Sequence, residues 1–196
     1  MLLRRSVGAL VLATATAACA APALRAQAAE PATAAPAMEI PKPSPALKQL
    51  DYFTGGWACA GSGYNAGKSH PSTAKVRMGW DLNGFFISLR YEEHKTKANP
   101  MPITAVEHWG YSDELKKLVA GQVDSMGGYG TQVSDGWAGD QLVWTGDVHM
   151  MGQKMASRDT FVKKGENELT HVGELQMNGA WVKQDEQTCH RVAKKK

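Results

Sequence analysis

Apolar and polar residues alternate along short segments of this chain, as they do in β-strands whose two faces meet different surroundings. In one segment the alternating apolar residues are Val76, Met78, Trp80 and Leu82, and the opposite face carries Lys75, Arg77 and Asp81. Two further segments repeat the pattern with Phe85, Ile87, Leu89 and Tyr91, and with Leu142, Trp144, Val148 and Met150. The alternation predicts strands that turn these apolar side chains toward an interior.

The segments are short and are bounded by glycine, asparagine, aspartate or proline, which predicts about ten strands joined by tight turns. Asn83-Gly84 and Asn178-Gly179 are typical of type I′ hairpins, so successive strands should be antiparallel neighbours. A short helical or irregular entry, PALKQLDYF, precedes the first strand. The predicted strands are 56–63, 73–82, 85–94, 103–111, 117–124, 131–138, 142–150, 154–163, 168–177 and 180–192.

Two residue pairs at the ends of this region predict how the sheet closes. Trp57 and Cys59 lie two apart in the first strand, and Cys189 and Arg191 lie two apart in the last strand. If these strands are antiparallel neighbours, one register places Cys59 opposite Cys189 and Trp57 opposite Arg191. First and last strands pair when a sheet closes into a barrel. We therefore predict an all-β, antiparallel up-and-down barrel closed at this seam, with a Cys59–Cys189 disulfide.

The N-terminus predicts export. Arg4 and Arg5 precede an apolar stretch and the sequence Ala26-Gln27-Ala28, which fits a secretory signal peptide over residues 1–28. The protein should then be periplasmic or secreted. An alternative is a lipid anchor at Cys19, although Thr16 stands where leucine is usual in such signals. The remaining chain divides into an Ala/Pro-rich leader (29–46), the barrel (47–193) and a basic tail (194–196), and it shows no transmembrane segment.

Charge excludes two classes of partner. The whole chain has a formal net charge of +3, and loss of the three arginines of the signal segment would bring it to zero. No basic patch for nucleic acid or anionic membrane remains apart from the terminal lysines. A small hydrophobic molecule is the partner that we predict, and the sequence does not specify the oligomeric state.

The opening LDYFTGGWACAGSG resembles the G-x-W opening of lipocalin-like (calycin) barrels, where the tryptophan plugs one end and an arginine of the last strand lies across it. Trp57 and Arg191 match those positions, which implies cation–π closure of one end. HWGYSDELKKLVAGQVDSMGG, LVWTGDV and GAWVKQDEQTCHRV resemble the exported bacterial family called domain of unknown function 1579, over most of residues 47–192. That family has no established activity and supplies no catalytic residues, and the cysteine pair is a departure from it.

A weaker likeness is to nitrobindin, a ten-stranded haem barrel that also opens with G-x-W and holds iron through a histidine near its end. His171 and His190 are the nearest candidates here. His171 lies on the same strand face as Leu169, Gly173 and other apolar positions, so it should point inward. His190 should point outward. A lone inward histidine is more often a hydrogen-bonded core residue than a ligand.

No catalytic motif is present, and the six histidines lack the spacing of a zinc site. We therefore predict a barrel that binds a small hydrophobic ligand without a cofactor. The expected cavity residues are Met78, Trp80, Tyr91, Trp144 and His171. Haem binding through His171 is the first alternative, with Gly173 opening space for a flat macrocycle. An enzyme of unknown reaction that acts on a barrel-bound ligand is the second alternative.

Overall fold

A computed structural model describes residues 40–65 and 68–193, and in these ranges the chain folds as an antiparallel β-barrel with two short 3₁₀ segments. The predicted signal peptide with Cys19, most of the leader and the tail at 194–196 lie outside the described residues. The described part holds no helix with the length and apolar character that a bilayer crossing needs. The 3₁₀ segments are η1 (Pro45–Phe53) and η2 (Leu82–Gly84). The strands are β1 (Gly55–Asn65), β2 (Lys68–Asp81), β3 (Phe86–Glu93), β4 (Thr104–Ser112), β5 (Lys117–Asp124), β6 (Tyr129–Ser134), β7 (Trp137–Ala138), β8 (Gln141–Met150), β9 (Gln153–Lys163), β10 (Glu168–Met177) and β11 (Ala180–Val192).

Ten of the eleven described strands form a closed ring. Each strand pairs with the next one along the chain, except that β7 is a two-residue extension that pairs with β8 alone, so β6 pairs directly with β8. Pairing of β1 with β11 completes the ring. The predicted fold class is confirmed, and the predicted bounds of the fifth, ninth and tenth segments agree with β5, β10 and β11. The predicted segment 131–138 is divided, because Gly136 has a positive φ of 90° and interrupts it.

The predicted register of the seam is confirmed. Cys59 lies opposite Cys189 and is joined to it by a disulfide across 130 residues of sequence. Trp57 lies opposite Arg191, whose guanidinium carbon is 4.2 Å from the centre of the indole ring. The guanidinium also donates to the carbonyl oxygens of Tyr52 and Thr54. One side chain of β11 therefore stacks on β1 and holds the chain that enters it.

The helix η1 covers one end of the barrel. Leu47, Leu50 and Phe53 recur every three residues, which places them on one face of a 3₁₀ helix, and all three are buried in the core. Ser44 caps its first turn. The indole N–H groups of two tryptophans then donate to its backbone: Trp57 to the Phe53 carbonyl and Trp137 to the Gln49 carbonyl, both at 2.8 Å. Packing and hydrogen bonds together fix the helix as a plug.

The interior position predicted for Trp80 is corrected by the structure. Trp80 lies opposite Ile87 on the inner face, but it is the second-last residue of β2, at the end that η1 covers. Its indole N–H donates to Asp51 of η1 at 2.9 Å, and the side chain is 41 % exposed. Alternation along β2 predicted the correct face for Trp80. The residue nevertheless lies outside the cavity, because it stands at the end of the strand. Leu82 is likewise exposed, in η2.

The disulfide should contribute a large share of stability. The double variant Cys59→Ser, Cys189→Ser should lose about 2 to 5 kcal/mol of unfolding free energy, because it frees a long loop in the unfolded chain. Urea unfolding of the oxidised proteins measures this loss. A thiol reductant should bring the wild type to the stability of the variant and leave the variant unchanged. Equal stability of the oxidised proteins would contradict a stabilising seam disulfide.

Arg191→Lys tests whether the planar guanidinium matters beyond its charge. Lysine keeps the charge but can neither stack flat on Trp57 nor donate along the same two directions. We expect a loss of about 1 to 3 kcal/mol in urea unfolding. Arg77→Lys, at an exposed and outward position of β2, is the matched control and should change little. A loss at both positions, or at neither, would contradict the role given to Arg191.

Candidate functional site

A cavity of about 90 Å³ lies inside the barrel, directly beneath the plug residue Phe53. Its wall is divided by chemistry. One part is apolar and contains aromatic rings and aliphatic side chains from β1, β2, β3, β8, β9 and β10, and the disulfide belongs to it. The other part is polar and is formed by Tyr91, Glu107, Gln132, Asp159, His171 and Gln187. A cavity of this kind offers a small molecule apolar contacts and a few directed polar groups.

His171 is held between two carboxylates. Its Nε2 lies 3.0 Å from Oδ1 of Asp159 on β9, and its Nδ1 lies 3.1 Å from Oδ2 of Asp185 on β11. The ring also packs on Phe161, with the ring centres 4.5 Å apart. Because a carboxylate oxygen can only accept, both ring nitrogens act as donors and the ring is an imidazolium. The sequence prediction of an inward, hydrogen-bonded histidine is confirmed.

The pKa of His171 follows from these partners. Burial is the largest influence and opposes the charge, but the negative charge of Asp185 and the hydrogen bonds to Asp159 and Asp185 outweigh it and raise the pKa of His171 well above 6.5. An imidazolium with both nitrogens occupied has no lone pair for a metal. His171 in this arrangement therefore does not fit the role of a haem ligand. Within residues 40–65 and 68–193, no group of histidine, cysteine and acidic side chains has the geometry of a metal site.

Gly173 makes the arrangement around His171 possible. A Cβ atom built on Gly173 would lie 2.2 Å from Oδ1 of Asp185 and 3.2 Å from Oδ1 of Asp159. The space above this glycine is thus filled by the two carboxylates that hold the histidine. The pairing of β10 with β11 also shifts between Gly173 and Glu174. The sequence analysis expected Gly173 to open space for a flat macrocycle, but in the structure the Asp185 carboxylate occupies this space.

Glu107 is the acid of the cavity that lacks a cationic partner in the described part of the chain. Its Oε2 accepts a hydrogen bond from the indole N–H of Trp109 at 2.8 Å. Burial raises the pKa of Glu107 to about 7; Trp109 and His171 lower it, and the charges of Asp159 and Asp185 raise it. Glu107 therefore changes charge near neutral pH inside the barrel. Titratable groups tuned in this way are concentrated at functional sites.

A second polar group closes the far side of the cavity. The Tyr91 hydroxyl accepts from Nε2 of Gln187 at 2.7 Å and donates to Glu93 at 3.3 Å. Glu93 also accepts from Ser72, from the side chain of Asn99 and from the backbone N–H of Ile103. Burial, together with the charges of Glu93 and Asp185, raises the pKa of Tyr91 well above 10. Tyr91 is therefore a neutral hydrogen-bonding group.

Trp144 contributes a donor that has no partner in the described part of the chain. Its side chain is 1 % exposed and lines the cavity, and its ring lies 5.0 Å from that of Trp109. Among the described residues, its Nε1 is the one buried side-chain nitrogen or oxygen atom without a hydrogen bond. A buried N–H without an acceptor costs about 1 to 3 kcal/mol, so such groups call for an explanation.

The structure brings together four of the five cavity residues that the sequence predicted: Met78, Tyr91, Trp144 and His171 line it, and Trp80 does not. Sequence reasoning missed the acids and amides of the polar wall. Alternation could have found Gln187, because it lies on the same face of β11 as Cys189 and Arg191, as does Asp185 behind the wall. Glu107 alternates with Trp109 in the same way.

Glu107→Gln should change how stability depends on pH. The folded-state pKa of Glu107, about 7, lies above its ordinary 4.5, so between these values the folded state holds a proton that the unfolded state has lost. The contribution of Glu107 to stability is therefore complete below pH 4.5 and is lost as the pH rises to 7. The variant lacks this loss, so between pH 4.5 and 7 it should gain about 1 to 3 kcal/mol relative to wild type.

Urea unfolding at a series of pH values measures this difference. Glu114→Gln, on the exposed turn before β5, is the control and should follow the wild type. A constant difference between Glu107→Gln and wild type across the range would contradict a proton on Glu107.

Comparisons with known proteins bear on the fold. No protein-family model matches this chain, and no curated protein matches it. Among solved structures, the chain is similar to the crystal structure of Rv2717c from M. tuberculosis, with a TM-score of 0.62, 13 % sequence identity, and coverage of 78 % of this chain and 100 % of that chain. At this identity the similarity shows the fold alone. The chain therefore has a barrel fold with a known structural counterpart, and the resemblances to domain of unknown function 1579 and to nitrobindin stay predictions.

Proposed function

We propose that the barrel binds a small molecule in its interior cavity. The observation that carries the proposal is the Trp144 indole N–H, which faces no acceptor in the described part of the protein although its side chain lines a cavity. Binding of a ligand oxygen there would satisfy the group. Buried charged side chains often contribute little to stability. A binding role therefore gives a reason why the barrel holds charged side chains in its interior.

The size and wall of the cavity define the ligand. An engineered apolar cavity of about 150 Å³ is large enough for benzene, so about 90 Å³ holds a molecule that is smaller than benzene. Aromatic and aliphatic side chains form most of the wall, so the body of the ligand should be apolar. The polar wall then orients it. The ligand is thus a compact molecule with an apolar body and at least one polar group.

The proposal includes export. The disulfide is consistent with an oxidising compartment, where such bonds persist. The N-terminal sequence is typical of a secretory signal. The protein would then meet its ligand outside the cytoplasm. The seam disulfide would keep β1 and β11 paired while the ligand enters and leaves.

Xenon tests whether the cavity admits a small apolar probe. The protein labelled with ¹³C at methionine methyl groups reports from two environments: Met78 lines the cavity, while Met151 is 89 % exposed on the turn between β8 and β9. Under xenon pressure the Met78 signal should shift with saturation, and the Met151 signal should change only slightly and linearly. Val76→Ile, which adds a methylene to the wall, should weaken the Met78 response. Equal responses of the two methionines would contradict an accessible cavity.

A further inference from the structure

The charges that surround the cavity do not cancel. Asp159, Asp185 and Glu107 lie at or behind its wall, and His171 is the cation among them. No lysine or arginine of the described residues lines it. Two cationic side chains near η1 contact aromatic rings instead: Arg191 stacks on Trp57, and Lys163 lies 3.7 Å from the ring centre of Trp137. The interior therefore has an excess of negative charge.

The partners of the acids show where the excess is located. Asp159 is matched by His171 and by the amide of Gln132, and Asp185 is matched by His171. From the described residues Glu107 receives one hydrogen bond, which comes from a neutral indole. A carboxylate in a dry site is costly unless a cation or several donors compensate it. Its raised pKa, about 7, agrees with the absence of such compensation.

The rest of the wall suits a positive group. Phe53, Trp144 and Phe161 present aromatic rings to the cavity, and ring faces attract cations. The imidazolium of His171 already packs on one of them, Phe161. A cationic ligand in the cavity would therefore meet both a carboxylate and aromatic rings.

Trp144 adds a second requirement for the ligand, which is a hydrogen-bond acceptor. Its unpartnered N–H needs an acceptor, which an ammonium group cannot supply. One ligand satisfies both groups if it carries a cationic nitrogen and an oxygen on a short apolar skeleton. Among compounds that fit about 90 Å³, short amino alcohols have this combination.

We infer that the cavity selects a small organic cation of the amino-alcohol type, with its ammonium group against Glu107 and its hydroxyl oxygen accepting from Trp144. This inference rests on the proposed binding function and names the class of ligand for the same site. It replaces a purely hydrophobic ligand by one that is apolar in its body and charged at one end.

Three probes of similar size test the inference: 1-amino-2-propanol has both groups, isobutylamine has only the ammonium group, and 2-butanol has only the hydroxyl group. Their affinities are measured by titration of the Met78 methyl signal. The amino alcohol should bind the wild type about tenfold or more tightly than 2-butanol, because a hydrogen bond to a charged group is lost in the neutral probe. It should also bind more tightly than isobutylamine.

Two variants assign these differences to residues. Glu107→Gln keeps the shape of the wall and should abolish the preference for the amino alcohol over 2-butanol. Trp144→Phe removes the N–H and should abolish its preference over isobutylamine. Glu92→Gln, on the outward face of β3, changes an acid outside the barrel and should leave both preferences intact.

The outcomes separate this inference from the proposed function. The inference is supported if Glu107→Gln loses the preference over 2-butanol and Trp144→Phe loses the preference over isobutylamine, while Glu92→Gln keeps both preferences. Equal binding of 2-butanol and the amino alcohol to the wild type overturns the inference and leaves the binding function in place. Failure of all three probes, while xenon enters, also overturns the inference alone. Failure of the probes and of xenon overturns both proposals.

Discussion

Pairing of the first strand with the last strand is the constraint on which the structure depends. It closes the ring, and its register sets four further features at once: the disulfide, the stacking of Arg191 on Trp57, the anchoring of η1 by that arginine, and the inward direction of Asp185 and Gln187. A shift of one residue would turn all of these side chains to the other face. The same seam therefore stabilises the barrel and positions part of its polar wall.

The interior is organised as two zones. Toward η1, aromatic rings pack on one another at distances of about 5 to 6 Å, with Phe53 in contact with Trp109, Trp137 and Phe161. Toward the other end, hydrogen-bonded acids, amides and His171 replace the apolar packing. The cavity lies where the zones meet, so the aromatic zone lowers the local dielectric around Glu107. This explains why that acid, and not an exposed one, holds a proton near neutral pH.

Much of the fold could be predicted from the sequence because alternation, turn residues and the seam pairs all pointed to one barrel. The candidate site was predicted only in part. Alternation along the strands correctly predicted that Met78, Trp144 and His171 point inward. Alternation does not show where a strand passes the end of the barrel, and Trp80 was misplaced for that reason. The partners of His171 were missed because Asp159 and Asp185 lie on two other strands, and their approach depends on the space left by Gly173.

The central claim is that Trp144 and Glu107 are the polar contacts of a bound molecule. The most direct test is a high-resolution crystal structure of the protein purified without refolding and soaked in 1-amino-2-propanol. We expect density in the cavity with one atom in hydrogen-bond range of Nε1 of Trp144 and another in range of the Glu107 carboxyl. A cavity filled by rearranged side chains, with the Trp144 N–H bonded to a protein group, would contradict it.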